Sequence, residues 1–237
     1  MINFASVKLE NITKGFEGKT VLDKVNCEFF NKEVHVILGK SGTGKSVLLK
    51  MIIGLLKPDS GHLLIDNENL GEVIKRNNLI LSYIFQSSAL LNSLSVLDNI
   101  TLFLDEHNVG TRDERVSKAY EILSDLSIED TANRMPSELS GGMRKRVAIA
   151  RSLIISPDIL LYDEPTAELD PINTKTISEI IKNLRSNKSI TQVVVTHDIN
   201  FAYSIADKIS ILEDGNIKIT GSPDIIKKSK NAILDSI

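Results

Sequence analysis

The sequence contains very few of the residues that several common protein classes need. Among its 237 residues there is no tryptophan, one cysteine and 5% aromatic residues. A single cysteine excludes an internal disulfide and suits a reducing compartment, so we expect Cys27 to fill space in a strand rather than to react. The net charge of -3 gives no electrostatic reason to expect binding to nucleic acid.

The sequence also lacks a long apolar run. The stretch from Leu48 to Leu56 is interrupted by Lys50 and Gly54 and is too short to cross a bilayer. Residues 1–8 do not follow the basic-then-apolar order of a secretory leader. We therefore expect a cytosolic protein whose contact with a membrane, if it has one, is made through a partner.

One segment organises the rest of the chain. Residues 39–46 match the pattern G-x-x-x-x-G-K-[ST] of a phosphate-binding loop, after an apolar run that predicts a buried strand at 34–38 and before an apolar run that predicts a helix ending near Leu56. This setting favours phosphate binding over an incidental glycine-rich turn, with Lys45 near the β- and γ-phosphates and Ser46 on Mg²⁺. The candidate ligands are Gly39, Lys40, Ser41, Gly42, Thr43, Gly44, Lys45, Ser46 and Val47.

Hydrophobic periodicity predicts an α/β fold. Strands are expected at 7–12, 21–29, 34–38, 62–66, 79–85, 159–162, 190–196, 208–212 and 216–220. Helices are expected at 96–104, 112–126, 143–153, 172–184, 201–206 and 223–228. Because no strand signal survives between 86 and 153, this segment reads as a helical insertion into a parallel sheet.

Two adjacent acids end a predicted strand. Asp163 and Glu164 follow the apolar residues 159–162, which we expect to form the strand beside the phosphate loop. Asp163 is predicted to hold Mg²⁺, and Glu164 to orient and deprotonate an attacking water. Acids at a strand end are often solvated caps, but their combination with the phosphate loop favours function.

A second anion site is suggested at the start of the last insertion helix. Ser140, Gly141 and Gly142 leave N–H groups free at the positive end of a helix, although for this short sequence taken alone an ordinary N-cap is the favoured explanation. The basic run at 144–146 is interpreted as a solvated helix face.

These motifs occur in a characteristic order. They are the phosphate loop at 39–46, Gln86 after a strand, the sequence LSGGM at 139–143, the sequence YDEPT at 162–166, the sequence AELD at 167–170, and His197 after a strand. With this set the chain resembles the nucleotide-binding domain of ATP-binding cassette (ABC) transporters over essentially its whole length. The resemblance implies a P-loop NTPase core with a mainly parallel sheet, an antiparallel β edge and a helical subdomain. It implies a single domain over 1–237, with a RecA-like core at 1–86 and 154–237 and the helical subdomain at about 87–153.

The resemblance also implies an ATPase that uses ATP and Mg²⁺. Two copies would close head to tail, so that each ATP lies between one chain's phosphate loop and the other chain's Ser140, Gly141 and Gly142. Glu164 would be the general base, and His197 would contact the γ-phosphate. Ser46 and Asp163 would hold the metal, and Gln86 would contact both the metal and the attacking water as a catalytic residue. Phe16 would stack on adenine, unless it only packs locally, and Asp170 would lie across the dimer interface.

Two positions depart from the commonest family pattern. Met143 replaces the usual glutamine, and Glu168 stands where a small residue is usual. Neither position supplies a phosphate ligand or the base. The charge of Glu168 is expected to affect closure of the dimer.

A narrower resemblance concerns the Mla-type ATPases. The segments 85–96 and 135–143 are similar to those of this family, which energises phospholipid transport between bacterial membranes with an MlaE-type permease and an MCE-domain protein. It implies a subunit on the cytoplasmic face of the inner membrane, with Ala89–Leu94 receiving the permease, although internal packing would also explain that apolar stretch. Transport of another solute and a non-transport ABC ATPase remain alternatives.

Overall fold

The computed structural model describes residues 6–76, 79–188 and 190–229. The strands are β1 (Ser6–Phe16), β2 (Lys19–Phe30), β3 (Val34–Leu38), β4 (Ser60–Ile65), β5 (Glu68–Asn69), β6 (Leu81–Ile84), β7 (Ile159–Asp163), β8 (Thr191–Thr196), β9 (Lys208–Glu213) and β10 (Asn216–Gly221). The helices are α1 (Lys45–Ile52), α2 (Leu70–Lys75), α3 (Val96–Glu106), α4 (Arg112–Asp125), α5 (Gly141–Leu153), α6 (Pro171–Lys188), α7 (Ile199–Ile205) and α8 (Pro223–Lys228).

The strands form two sheets. The larger has the order β10-β9-β3-β8-β7-β6, and its strands run parallel except for β10. The smaller has the order β2-β1-β4-β5 and is antiparallel. The predicted α/β class with an antiparallel edge is therefore confirmed.

The larger sheet lies between two hydrophobic cores. Along β3, Val34, Val36 and Leu38 join one core, whereas Ile37 joins the other. Such alternation on two buried faces is expected of a central parallel strand. One core contains the helices of the insertion, and the other contains α1 and the inner face of the antiparallel sheet.

Three details differ from the sequence expectations. Helix α1 ends at Ile52 rather than near Leu56, because Gly54 adopts a left-handed φ of 82° that an α-helix cannot continue through. The short elements β5 and α2 were not predicted. Strand β7 is not the neighbour of β3, since β8 lies between them.

The predicted helical insertion consists of α3, α4 and α5, with short 3₁₀ helices at Glu129–Thr131 and Pro136–Glu138. Ser95 caps α3, and Thr111 forms a capping box with Glu114 at the start of α4. Cys27 is a buried free thiol in β2, as expected, and burial raises its pKa to about 11. In the ranges described, no helix is long and apolar enough to cross a bilayer. Most of the segment considered for a leader, residues 1–5, lies outside those ranges.

Candidate active site

The phosphate loop connects the central strand β3 to α1. The amide of Gly39 donates to the carbonyl of Thr196 at 3.2 Å, which fixes the start of the loop to β8. Gly44 has a φ of 100°, and a Cβ there would lie 2.8 Å from Cδ2 of Leu22. Both facts require glycine immediately before the helix begins at Lys45.

Lys45 is folded over the loop that precedes it. Its Nζ donates to the carbonyls of Gly39 at 2.7 Å and Lys40 at 2.9 Å, and it lies 3.3 Å from Oε1 of Glu164. The side chain is 5% exposed. A buried ammonium needs such partners, and the loop carbonyls place it where the phosphates of a bound nucleotide would lie.

Ser46, in α1, and Asp163, at the end of β7, meet although β7 is not adjacent to β3, the strand that precedes α1. The Ser46 hydroxyl donates to Oδ1 of Asp163 at 2.7 Å, and the Tyr83 hydroxyl donates to Oδ2 at 2.6 Å. A hydroxyl beside a carboxylate is a hard oxygen donor set of the kind that Mg²⁺ prefers, so the residues fit this metal. Tyr83, on β6, orients the carboxylate and was not predicted as a site residue.

Glu164 lies directly beyond β7 with a left-handed φ of 46°. Its amide donates to the carbonyl of Val195 at 3.0 Å, and its Oε2 lies 3.0 Å from Nδ1 of His197. A non-glycine residue in this conformation is held against a local energetic cost, as is common in functional sites. The carboxylate is thereby fixed between an ammonium and an imidazole.

One cleft collects most of the predicted residues. Its lining comprises Val21, Ser41, Gly42, Gly44, Lys45, Ser46, Val47, Gln86, Glu164 and His197. Gln86 also lines a second cleft, together with Asp163, and this second cleft separates the site from α5. The structure therefore brings together the predicted phosphate, metal and catalytic side chains within one chain.

The second predicted anion site, residues 140–142, lies outside the cleft that contains Lys45 and Glu164. Ser140 caps α5 by accepting a bond from the Met143 amide at 3.3 Å. Gly142 packs so closely on α6 that a Cβ would lie 2.0 Å from Oδ1 of Asn173. Asn173 donates two hydrogen bonds to the Asp170 carboxylate, one from its backbone N–H at 2.9 Å and one from its side-chain Nδ2 at 2.6 Å.

Phe16 is 43% exposed at the end of β1 and does not line the cleft. The Nζ of Lys14 lies 5.5 Å from the centroid of its ring. The ring is therefore partly exposed, with a cation near one face, rather than packed into a core.

The basic run at 144–146 is solvated only in part: Arg144 is exposed and Arg146 is half-buried, as the solvated-face interpretation expects, but Lys145 is not solvated. Lys145 is buried, with 7% exposure, and its Nζ donates to the carbonyl of Gln86. Burial lowers the pKa of the Lys145 ammonium, and nearby carboxylates oppose that shift, with Glu168 first among them. The missed signal was helical spacing, because Lys145 shares a face with Gly142 and Ile149.

The two departures from the family pattern have different surroundings. Met143 is half-buried and packs against the core. Glu168 is exposed and has a φ of 66°, a left-handed conformation that favours glycine. Glycine is therefore favoured at position 168 on conformational grounds alone.

Comparison with known proteins decides the family. Residues 22–167 match the sequence profile described as "ABC transporter". The chain belongs to the ABC transporter family. It is an ABC-type ATPase domain and the ATP-binding subunit of a transport system.

Curated relatives of this ABC domain have several named substrates. It is 37% identical over 232 residues to "Methionine import ATP-binding protein MetN" of Legionella pneumophila, covering 95% of this chain and 67% of that protein. It is 32% identical over 233 residues to "Probable ribonucleotide transport ATP-binding protein mkl" of Mycobacterium leprae, covering 97% and 67%. It is 36% identical over 224 residues to "Sulfate/thiosulfate import ATP-binding protein CysA" of Mesostigma viride, covering 93% and 63%. The ABC domain thus spans about two thirds of these relatives.

Solved structures agree on the fold. A dimeric ATP-binding cassette, MJ0796, in a post-hydrolysis state bound to ADP and Pi, has a TM-score of 0.82 at 36% identity and covers 92% of this chain and 98% of that one. The cassette cbiO1 from Clostridium perfringens, part of the cbiONQ ABC transporter complex, has a TM-score of 0.85 at 28% identity, covering 96% and 92%.

Proposed function

We propose that this ABC domain binds ATP with Mg²⁺ in the cleft and hydrolyses it with the residues collected there. The observation that carries the proposal is the Glu164 carboxylate, held 3.3 Å from Nζ of Lys45 and 3.0 Å from Nδ1 of His197. This arrangement aims one carboxylate at the point where the last phosphate of a loop-bound nucleotide would end. A general base must be within hydrogen-bond reach of the water it deprotonates.

Each side chain has a role that follows from its contacts. Lys45 exchanges its loop carbonyls and the Glu164 carboxylate for β- and γ-phosphate oxygens, which frees Glu164 to accept a proton from water. Ser46, Asp163 and Gln86 hold Mg²⁺, which neutralises charge on the phosphates when bound. His197 contacts the γ-phosphate and keeps the Glu164 carboxylate oriented. The amides of residues 39–47 provide the remaining phosphate contacts.

We further propose that the functional unit contains two copies of the chain. Ser140, Gly141 and Gly142 lie outside the phosphate cleft of their own chain, so in our proposal they complete the site of a second copy. Asp170 then lies at the interface, and Phe16 stacks on adenine at the edge of its own cleft. The dimeric state of the related cassette MJ0796 supports this arrangement.

We assign the proposed functions to two subdomains. A RecA-like core, 1–86 with 154–237, carries the phosphate loop and the base. A helical subdomain, about 87–153, carries the second anion site and meets a separate membrane permease through the segment after Gln86. In that segment Leu91 is 44% exposed, whereas Leu90 packs against the core, so internal packing explains only part of the apolar stretch at 89–94.

Phospholipid is our proposed cargo, with an MlaE-like permease and an MCE-domain protein as partners at the cytoplasmic face of an inner membrane. The support is the similarity of 85–96 and 135–143 to Mla-type ATPases. Import of another solute is the second candidate, because relatives are named for methionine, sulfate and ribonucleotide transport.

Affinity purification of the tagged chain from detergent-solubilised membranes tests the assignment of partners. Recovery of a permease together with an MCE-domain protein is the expected result. Recovery of a permease with a soluble solute receptor would favour import instead. Recovery of no integral membrane protein would contradict the transport proposal.

A further inference from the structure

The loop after β6 is held by side chains of the helical subdomain. Arg151, on α5, donates through Nη2 to the carbonyl of Ser88 at 3.0 Å and through Nη1 to that of Ala89 at 2.8 Å. Asn99, on α3, donates through Nδ2 to the carbonyls of Leu91 at 3.0 Å and Leu94 at 3.1 Å. Backbone carbonyls along this loop are therefore bound to α3 and α5.

These bonds maintain a backbone that would otherwise be unfavourable. Ser88 and Ala89 have φ values of 64° and 45°. Neither residue adopts the left-handed region readily, so the loop needs external hydrogen bonds to keep its path. A loop held in this way moves with the helices that hold it.

Lys145 makes the corresponding bond at Gln86 itself. It lies on α5, one turn after the Ser140–Gly142 segment, and its Nζ donates to the Gln86 carbonyl. The cleft between α5 and β7 is lined by Lys145, Gln86, Asp163 and Glu168. The Lys145 ammonium therefore connects α5, the helix that begins at the second anion site, to Gln86, the residue proposed to contact the metal and the water.

We propose that Lys145 is a positioning residue that fixes Gln86 to α5, so that Gln86 and the Ser140–Gly142 segment move as one body. This inference rests on the proposed role of Gln86 and deepens it. Binding at the second anion site would then displace Gln86 directly through α5. Lys145 itself touches neither phosphate nor water in this scheme.

Two measurements on the full-length chain test the proposal. Spin labels at Ser87→Cys and Glu121→Cys report the distance from the loop to α4 without nucleotide; buried Cys27 does not compete for label. Lys145→Met is expected to broaden or shift this distance distribution, because Met keeps the length of the side chain but has no donor. ATP turnover should fall about 10- to 100-fold in kcat, with KM for ATP changed less than about 2-fold. Lys145→Arg should recover both readouts, since the cleft leaves room for a longer donor.

Lys118→Met is the matched control. Its Nζ donates to Oγ of Ser156 at 3.0 Å, away from the loop, so both readouts should stay at wild-type values. Lys145→Leu, which also lacks a donor, replaces Lys145→Met if the latter does not fold. A wild-type distance distribution, or an unchanged kcat, in the Lys145 variant would overturn the proposal. The distance is measured without nucleotide and so does not depend on hydrolysis. It would therefore still test the role of Lys145 if the proposed assignment of the ATPase residues were wrong.

Discussion

The Lys45 ammonium and the Glu164 carboxylate form an ion pair of 3.3 Å inside the cleft. The pair joins the phosphate loop to the end of β7 across the intervening strand β8. The three donors of the ammonium face two loop carbonyls and this carboxylate, so a bound phosphate must displace at least one of them, and we expect the carboxylate to be among those displaced. Release of the carboxylate would thus be coupled to arrival of the substrate.

Glu164→Gln tests the assignment of the base. The amide keeps the size of the side chain but is not an effective base, so ATP hydrolysis should fall by about 10²–10⁴-fold. ATP binding should persist, and an ATP-bound dimer should accumulate on size-exclusion chromatography. Glu179→Gln, on the exposed face of α6, is the control and should hydrolyse ATP normally. Turnover near wild type in Glu164→Gln would show that another group is the base.

Tyr83→Phe tests the positioning of the metal ligand. It removes the hydroxyl that donates to Oδ2 of Asp163 at 2.6 Å, and partners of this kind commonly change metal affinity by about 10- to 100-fold. We expect weaker Mn²⁺ binding in the presence of ATP, measured by electron paramagnetic resonance, with ATP affinity in EDTA unchanged. Tyr120→Phe, on the surface of α4, should alter neither value. Equal Mn²⁺ binding in both variants would contradict the role of Tyr83.

Local patterns predicted most elements and the residues of the phosphate cleft. The three insertion helices have clear apolar spacing, and the strands at 34–38 and 159–162 are continuous apolar runs, which are followed directly by the motifs at 39–46 and 163–164. The order of strands could not be predicted, because pairing of β3 with β8 is a long-range choice that alternation does not encode. The side chain of Ser46 nevertheless reaches Asp163, since parallel strands bring their carboxyl ends to one edge of the sheet.

Sequence patterns failed where burial overrides residue type. A lysine between two arginines predicts a solvated face, yet Lys145 is buried because a backbone carbonyl accepts from its ammonium. Tyr83 looks like an ordinary strand aromatic, and only its hydroxyl contact with Asp163 reveals another role. Both residues act through partners that are distant in the chain.

Gly142→Ala should destabilise the folded chain. The new Cβ would lie 2.0 Å from Oδ1 of Asn173, and that side chain can move away only by losing its Nδ2 bond to Asp170. Such overpacking typically costs about 1–3 kcal/mol, which thermal and urea unfolding would detect. Gly141→Ala is the matched control, because its Cβ would lie 3.6 Å from Cδ2 of Leu169. Equal stability of the two variants would mean that α5 and α6 are packed less tightly than the structure indicates.

Glu168→Gly should stabilise the chain even though it removes a side chain. A left-handed φ of 66° costs an L-residue about 1–2 kcal/mol, and glycine loses about 0.5–1 kcal/mol through its more flexible unfolded state, so a net gain of about 0.5–1 kcal/mol in the free energy of unfolding is expected. Glu168→Ala removes the charge but retains Cβ, and it should not give this gain. If both variants were equally stabilised, charge rather than backbone conformation would be responsible. Comparing their ATP-dependent dimerisation then isolates the effect of the charge on closure.

The buried imidazole of His35 makes stability dependent on pH. It lies 2.8 Å from Oγ of Ser210, and burial lowers its pKa from 6.5 to about 3. Below pH 6.5 the unfolded chain therefore binds a proton that the folded chain does not. The stability that the neutral His35 provides is fully present above pH 6.5 and is lost as the pH falls towards 3. Between pH 7 and pH 5 the free energy of unfolding should decrease by about 2 kcal/mol through this group. Urea unfolding at several pH values should show the slope in wild type and in His62→Gln, an exposed-site control, but not in His35→Gln. A slope that persists in His35→Gln would assign the effect to other groups.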